Sequence, residues 1–542
     1  MTAKINFGLS CIEKLNKHAT LINCPENHLK NLIKTDGRFE GFTLHGVNIF
    51  YDYSRQRVDV EAMNLLFELA EKKKVKQQFS DMVAGQKVNV TENRAALHTA
   101  LRDFSNDPVF MDGNNVMPDI QHVQNDIKDF SAKIRSGSLT GSTKKPFKHI
   151  VVIGIGGSNL GTEFVSTALS MFSDRKIEIL YLSNVDIHHF GEILSKINHE
   201  TTLWIIISKS YTTSETKANE TVVREYLKSN GLDPSKHIVT VTSKGSPGDE
   251  TALSNRKTFH MFDFVGGRFS VSSAVGGVPL SIYLGYDMFE RILKGANEMD
   301  QHARNEPVEN NLPMIAALIS FWNISILKYT AMAIIPYASP LSRLAPHIQQ
   351  LFMESNGKSV TRDGKTLNDP AGYIIFGEPG TNAQHSFFQL AHQGNPFPID
   401  FIGVVKPYYD KFKCHSNGVT NHQELWANLI SQPEALATGK QDKHPAKCFE
   451  GNRPSSTILI EELSPENIGR LLAFYEAKTV FEAFLWDINP FDQFGVELGK
   501  TMASTYRKEI ASKNKDSNYE FGKSNAISNF YLKTLFSGKL EE

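Results

Sequence analysis

Between residues 118 and 241 two kinds of segment alternate. Short apolar runs at His149–Ile153, Ile177–Leu182, Leu203–Ile207 and His237–Val241 have the length and β-branched content of buried strands. Amphipathic stretches at Pro118–Ile134, Asn159–Ala168, Asp186–Leu194 and Ser214–Lys228 read as helices. This alternation predicts βαβ units and a parallel sheet. A second α/β region follows, richer in helices. Ile315–Tyr329, Leu341–Glu354 and Glu466–Trp486 are its helices, and Gly372–Phe376, Ile399–Val405 and Thr457–Ile460 its strands. Residues 1 to about 115 are mostly polar, with helical segments such as Ala62–Lys74. The last thirty or so residues are polar until Ile527–Phe536, a tail that is either disordered or docked on a partner.

At 542 residues the chain is too long for one core. Net charge is −1, which gives no bulk attraction to nucleic acid or an anionic membrane. The longest apolar stretch, Leu312–Ile335, is interrupted by Asn323, Ser325 and Lys328 and reads as a core helix. Cys11, Cys24, Cys414 and Cys448 lack C-x-x-C spacing, which argues against a disulfide framework or a zinc ribbon. Met1–Asn6 lacks the apolar core of a signal peptide. The expected location is cytoplasmic.

Chemistry concentrates where predicted strands end. After Ile207 come Ser208, Lys209, Ser210, Tyr211, Thr212, Thr213 and Ser214, then a helix. Hydroxyls, backbone N–H groups, a helix start and a lysine suit a phosphate monoester better than a plain helix cap. The P-loop pattern G-x-x-x-x-G-K-[ST] is absent. After Ile153 comes Gly154-Ile155-Gly156-Gly157-Ser158-Asn159. The dinucleotide fingerprint fails there in both registers, which argues against a nicotinamide cofactor. The glycines still let a backbone approach a ligand closely, although a tight turn with no ligand explains them equally well.

Four further segments stand out. Gly266-Gly267-Arg268-Phe269-Ser270 exposes backbone beside a permanent cation. Gln350 and Glu354 share a helix face, and Gly357 reads as the terminator of that helix. His385, Gln389 and His392 fall on one helical stripe. Gln493, Glu497 and Lys500 form another. Each of the four also has a bland structural explanation. His188, His189 and Glu192 lack H-E-x-x-H spacing, and no metal site is expected.

Taken together and in this order, the motifs resemble the glucose-6-phosphate isomerase family, from about residue 40 to the end. Gly-Gly-Arg-Phe-Ser and Asn-Pro-Phe-Asp-Gln to Glu-Leu-Gly-Lys look like its two signatures. Met-Glu-Ser-Asn-Gly-Lys and Gly-Glu-Pro-Gly-Thr-Asn to Gln-His match as well. The resemblance implies an α/β fold of two sugar-isomerase (SIS-type) domains, with parallel-rich sheets flanked by helices. A helical N-terminal region (1–115), a small domain (116–283), a large domain (284–510) and a C-terminal arm (511–542) are expected.

It also implies roles. Ser158, Ser208, Lys209, Ser210 and Thr213 would bind phosphate or the adjacent sugar, with Gly157 and Glu215 in support. Gly267 and Arg268 would lie near C1 and C2, and Gln350 and Gln493 would touch the sugar. Glu354 would be the base that moves a proton through a cis-enediol, and His385 and Lys500 would open the ring. The histidine would come from the neighbouring subunit of a homodimer, with the arm wrapped on the partner. No cofactor is implied, and the partner is a small sugar phosphate. A non-catalytic sugar-phosphate sensor on the same fold would need only the phosphate anchor, and the intact Arg268, Glu354, His385 and Lys500 argue against it. Three departures stand out. Phe352 stands where many members carry aspartate, Ser210 and Tyr211 replace threonine and phenylalanine, and Ala383 replaces glycine.

Overall fold

The computed structural model describes residues 10–250, 255–367, 371–412, 414–522 and 525–540, so Met1–Asn6 lies outside the described residues. Residues 1–491 and 492–542 form two compact units.

The first unit carries two sheets. A hairpin of β1 (Thr43–Gly46) and β2 (Ile49–Asp52) comes first. The next five strands are β3 (His149–Ile153), β4 (Glu178–Leu182), β5 (Thr202–Ile207), β6 (Ile238–Ser243) and β7 (Lys257–Met261). They form one wholly parallel sheet in the order β4-β3-β5-β6-β7. Ile150, Val152, Leu203 and Ile205 are buried on one face, and Val151, Ile153, Trp204 and Ile206 on the other. Burial on both faces explains why these strands read as unbroken apolar runs.

The second sheet uses β8 (Ala331–Tyr337), β9 (Ile374–Phe376), β10 (Ile399–Lys406) and β11 (Ser455–Glu462). Its order is β1-β2-β11-β10-β8-β9. Strands β8 to β11 are mutually parallel, and β2 pairs antiparallel with β11. The hairpin was not expected in the mostly polar N-terminal region. Its turn residues, Val47 and Asn48, both have positive φ, a conformation usually signalled by Asn-Gly.

The long helix Pro465–Trp486 is buried along almost its whole length. The helix expected from Ile315 runs Leu312–Phe321, where the Asn311 side chain caps it, and continues as a π turn over Trp322–Ile326. The helix expected from Leu341 starts at Leu344, because Pro340 belongs to a separate 3₁₀ turn, Ser339–Leu341. Among the described residues no helix is long and apolar enough to cross a membrane. The second unit comprises a short turn, Phe494–Val496, and the helices Glu497–Lys515 and Ala526–Ser537.

Candidate active site

In the five-stranded sheet the chain reverses direction of travel between β3 and β5. Ligands of open α/β sheets bind at this switch point, beyond the carboxyl ends of the strands. The two loops that open there are the glycine turn after Ile153 and the hydroxyl loop after Ile207.

The glycine turn serves a close backbone approach. A Cβ on Gly157 would stand 2.3 Å from the carbonyl carbon of Gly267. A Cβ on Gly156, whose φ is +58°, would reach 3.0 Å from the Gln350 amide nitrogen. Ser270 Oγ donates to the Gly157 carbonyl at 3.3 Å. The glycines are thus accounted for by packing against the Gly-Gly-Arg segment, without invoking a ligand.

That packing places Arg268, which is buried. Its Nε donates to Ser355 Oγ at 2.6 Å, its Nη1 to Glu354 Oε2 at 3.1 Å, and its Nη2 to the Pro490 carbonyl. Only a planar fork reaches partners spread this way. Glu354 lies in the last turn of the helix Leu344–Asn356 and also accepts from Gln350 Nε2 at 3.2 Å. Gly357 caps that helix as expected, but with φ −75° rather than a left-handed turn. A Cβ there would meet the Met353 carbonyl at 2.5 Å. Gln350 Oε1 is buried and has no hydrogen-bond partner.

In the hydroxyl loop, Ser208 is buried at the end of β5 and its N–H donates to the Val241 carbonyl. Ser210 Oγ and Thr212 Oγ1 are 2.6 Å apart and exposed. Tyr211, at φ +53°, turns inward and donates its hydroxyl to Glu220 at 2.6 Å, which pins the loop. Thr213 is the N-cap of the helix Ser214–Ser229, yet its hydroxyl makes no capping bond. The loop hydroxyls and the first-turn N–H groups are therefore not consumed by an ordinary cap. Ser214 Oγ donates to the Glu215 carboxylate at 3.0 Å.

Lys209 departs from the expectation of a free point charge. Its Nζ donates to the carbonyls of Asp263 and Val265 at 2.9 and 3.1 Å, which leaves one N–H for a ligand. Burial lowers its pKa from the usual lysine value. Lys209 thus ties the hydroxyl loop to the chain leading into Gly267.

Two expected helical stripes do not form. His385 ends a 3₁₀ turn, Asn382–His385, and the helix bearing Gln389 and His392 begins afresh at Phe388. The His385 ring is exposed, which excludes a satisfied core histidine. Gln493 precedes the helix Glu497–Lys515, with an extended φ of −153°, so it shares no helix face with Lys500. Lys500 is exposed in the first turn of that helix.

Some contributors had no distinct signal in the sequence. Asn489 Nδ2 donates to Asn89 Oδ1 at 2.8 Å and Thr91 Oγ1 at 2.6 Å, which fixes the chain that presents the Pro490 carbonyl. Leu97 N–H donates to the Phe264 carbonyl at 3.0 Å. Arg102 is fully buried and pairs with Asp300 at 2.6 Å and Glu476 at 2.6 Å. The segment 89–102 therefore braces the Arg268 loop, and its only sequence signal is a cluster of polar residues beside small apolar ones. Among the described residues no cluster of metal-ligating side chains occurs.

The arrangement joins a carboxylate, a fixed guanidinium and an uncapped hydroxyl loop at one switch point. Known proteins resemble this chain along most of its length. The family model described as phosphoglucose isomerase matches residues 52–527. The glucose-6-phosphate isomerase of Desulfosudis oleivorans is 58% identical over 527 residues, covering 96% of each chain. The cytosolic enzyme of that name from Arabidopsis thaliana is 43% identical over 508 residues, covering 90% of each. The crystal structure of a glucose-6-phosphate isomerase from Chlamydia trachomatis superposes with a TM-score of 0.88 at 35% identity, covering 97% of this chain and 99% of that one. The chain belongs to the phosphoglucose isomerase family.

Proposed function

We infer that this chain interconverts glucose 6-phosphate and fructose 6-phosphate, the aldose–ketose step of glycolysis and gluconeogenesis, with Glu354 as the base. The observation that carries the reading is the Glu354 carboxylate held between Arg268 and Gln350 beside a phosphate-type loop. Isomerisation is a 1,2 proton shift, and it needs each of these parts. The hydroxyl loop and the helix start behind it anchor the phosphate. Glu354 takes the proton from C2 and returns it to C1, and Arg268 balances the charge on the enediolate oxygen. His385 and Lys500 serve ring opening. The exposure of His385 supports its use by the neighbouring protomer of a homodimer. The setting is cytoplasmic, like that of the plant relatives named cytosolic. No step requires a metal or a redox cofactor.

Glu354→Gln tests the assignment in EDTA, with fructose 6-phosphate turnover coupled to glucose-6-phosphate dehydrogenase. Turnover should fall by about 10³, within the range of a lost general base, while sugar phosphate still binds. Near-normal turnover in that variant would refute it.

A further inference from the structure

The helix that carries Glu354 has a back face. Phe352 and Asn356 lie four residues apart on one side of it, and Glu354, two residues from each, points to the other. Both back-face residues rest on the same buried ion pair, Lys478 with Glu482, at 2.8 Å and one turn apart on the helix Pro465–Trp486.

This pair is completely hydrogen-bonded. Lys478 Nζ donates to Ser320 Oγ at 2.9 Å, Tyr373 Oη at 3.1 Å and Glu482 Oε1 at 2.8 Å, which uses all three of its donors. Glu482 Oε1 also accepts from Tyr373 at 3.3 Å. Glu482 Oε2 accepts from Asn356 Nδ2 at 3.4 Å, and the same amide donates to the Thr479 carbonyl at 3.2 Å. The Phe352 ring lies with its centroid 5.6 Å from the Lys478 ammonium and 4.1 Å from that of Tyr373.

A buried ion pair is poor at adding stability, because apolar residues of similar volume do as well or better. What this one does supply is a fixed surface under the turn that aims Glu354. We propose that Lys478 and Glu482 are positioning residues for the isomerisation: they hold the back of the Glu354 helix through Asn356 and Phe352 and so keep the carboxylate in register with Arg268. Phe352 presents a ring to the ammonium, and Glu482 supplies the facing carboxylate. The proposal rests on Glu354 as base.

The test is steady-state kinetics with fructose 6-phosphate on three full-length variants, with Glu354→Gln measured in the same series. Glu482→Gln should lower kcat about tenfold with KM changed less than about twofold, since small misplacements of a reacting group act on the chemical step. Lys478→Met with Glu482→Leu removes both charges together. It should keep the melting temperature yet show the same loss of kcat, and it decides the matter if Glu482→Gln does not fold. Phe352→Asp added to Glu482→Gln returns a carboxylate to the ammonium and should restore most of kcat. A kcat within about twofold of the parent in the charge-free variant, or an effect confined to KM, overturns the proposal. If Glu354→Gln keeps its turnover, the base assignment falls instead. If Glu354→Gln is inactive and the charge-free variant is normal, only the positioning role falls.

Discussion

Replacing Arg268 with lysine keeps the charge and removes the fork. In the parent, three separate groups, Ser355 Oγ, Glu354 Oε2 and the Pro490 carbonyl, accept from one buried guanidinium. An ammonium donates from a single point on a shorter stem and cannot satisfy this spread. Two charge-assisted hydrogen bonds are lost, each worth about 1.5–3 kcal/mol. Not all of that reaches the transition state. Removal of one oxyanion-stabilising donor typically costs about 3 kcal/mol, or roughly a hundredfold in kcat. Arg268→Lys should therefore retain about 1% of kcat, with a smaller change in KM, in the coupled fructose 6-phosphate assay. Circular dichroism and melting would confirm a folded protein. A folded variant with kcat within about threefold of the parent would refute the reasoning, because charge alone would then suffice and the geometry would be irrelevant.

Gly157→Ala forces a Cβ to within 2.3 Å of the Gly267 backbone, so it should displace Arg268 and lower kcat at least about tenfold; unchanged kinetics would show that the contact is dispensable. Burial raises the Asp400 carboxyl to about 7, with Glu482 adding to the effect and Lys478 opposing it. Between pH 4 and 7 the folded chain therefore keeps a proton that the unfolded chain releases, and stability falls as pH rises through that window. Asp400→Asn should stabilise by about 4 kcal/mol at pH 8 and by almost nothing at pH 4, read by denaturant melts; an equal gain at both would exclude the linkage. Glu476, also raised to about 7 by burial, should leave a residual slope of the same sign. If His385 serves its partner's site, refolding inactive Glu354→Gln and His385→Ala chains together in equal amounts should recover about a quarter of full activity, because half the dimers are hybrids with one intact site. No recovery in verified hybrids would place both residues in sites made within one chain.

Much of the site was legible because its parts are local. β3 and β5 are buried on both faces, so they print as apolar runs, and the loops leaving them hold glycines or hydroxyls in sequence with them. What failed to print was the relation between distant parts. Nothing in Gly157 names Gly267 as the backbone it touches, and nothing in Lys209 says that two carbonyls hold its ammonium. Helical periodicity misled at His385 and Gln493, where the spacing continues across breaks that only the backbone reveals. The N-terminal hairpin escaped because its strands are four residues each and Val47-Asn48 carries no turn signature.

That hairpin bears on how the chain is made. Tyr51 on β2 donates its hydroxyl to Ser456 on β11, across 405 residues of sequence. During synthesis at about 5–20 residues per second, β2 waits roughly 20–80 s for its neighbour to leave the ribosome. The strands of the five-stranded sheet lie within residues 149–261 and the helices that bury one of its faces within 117–284, so it can assemble while the rest is still being translated. Until residue 462 emerges, β2 is an unpaired edge, the kind of surface that joins a wrong chain. Ribosome-bound fragments ending before β11 should therefore be the chaperone-dependent and aggregation-prone species of this protein, whereas the half containing the hydroxyl loop should already resist protease.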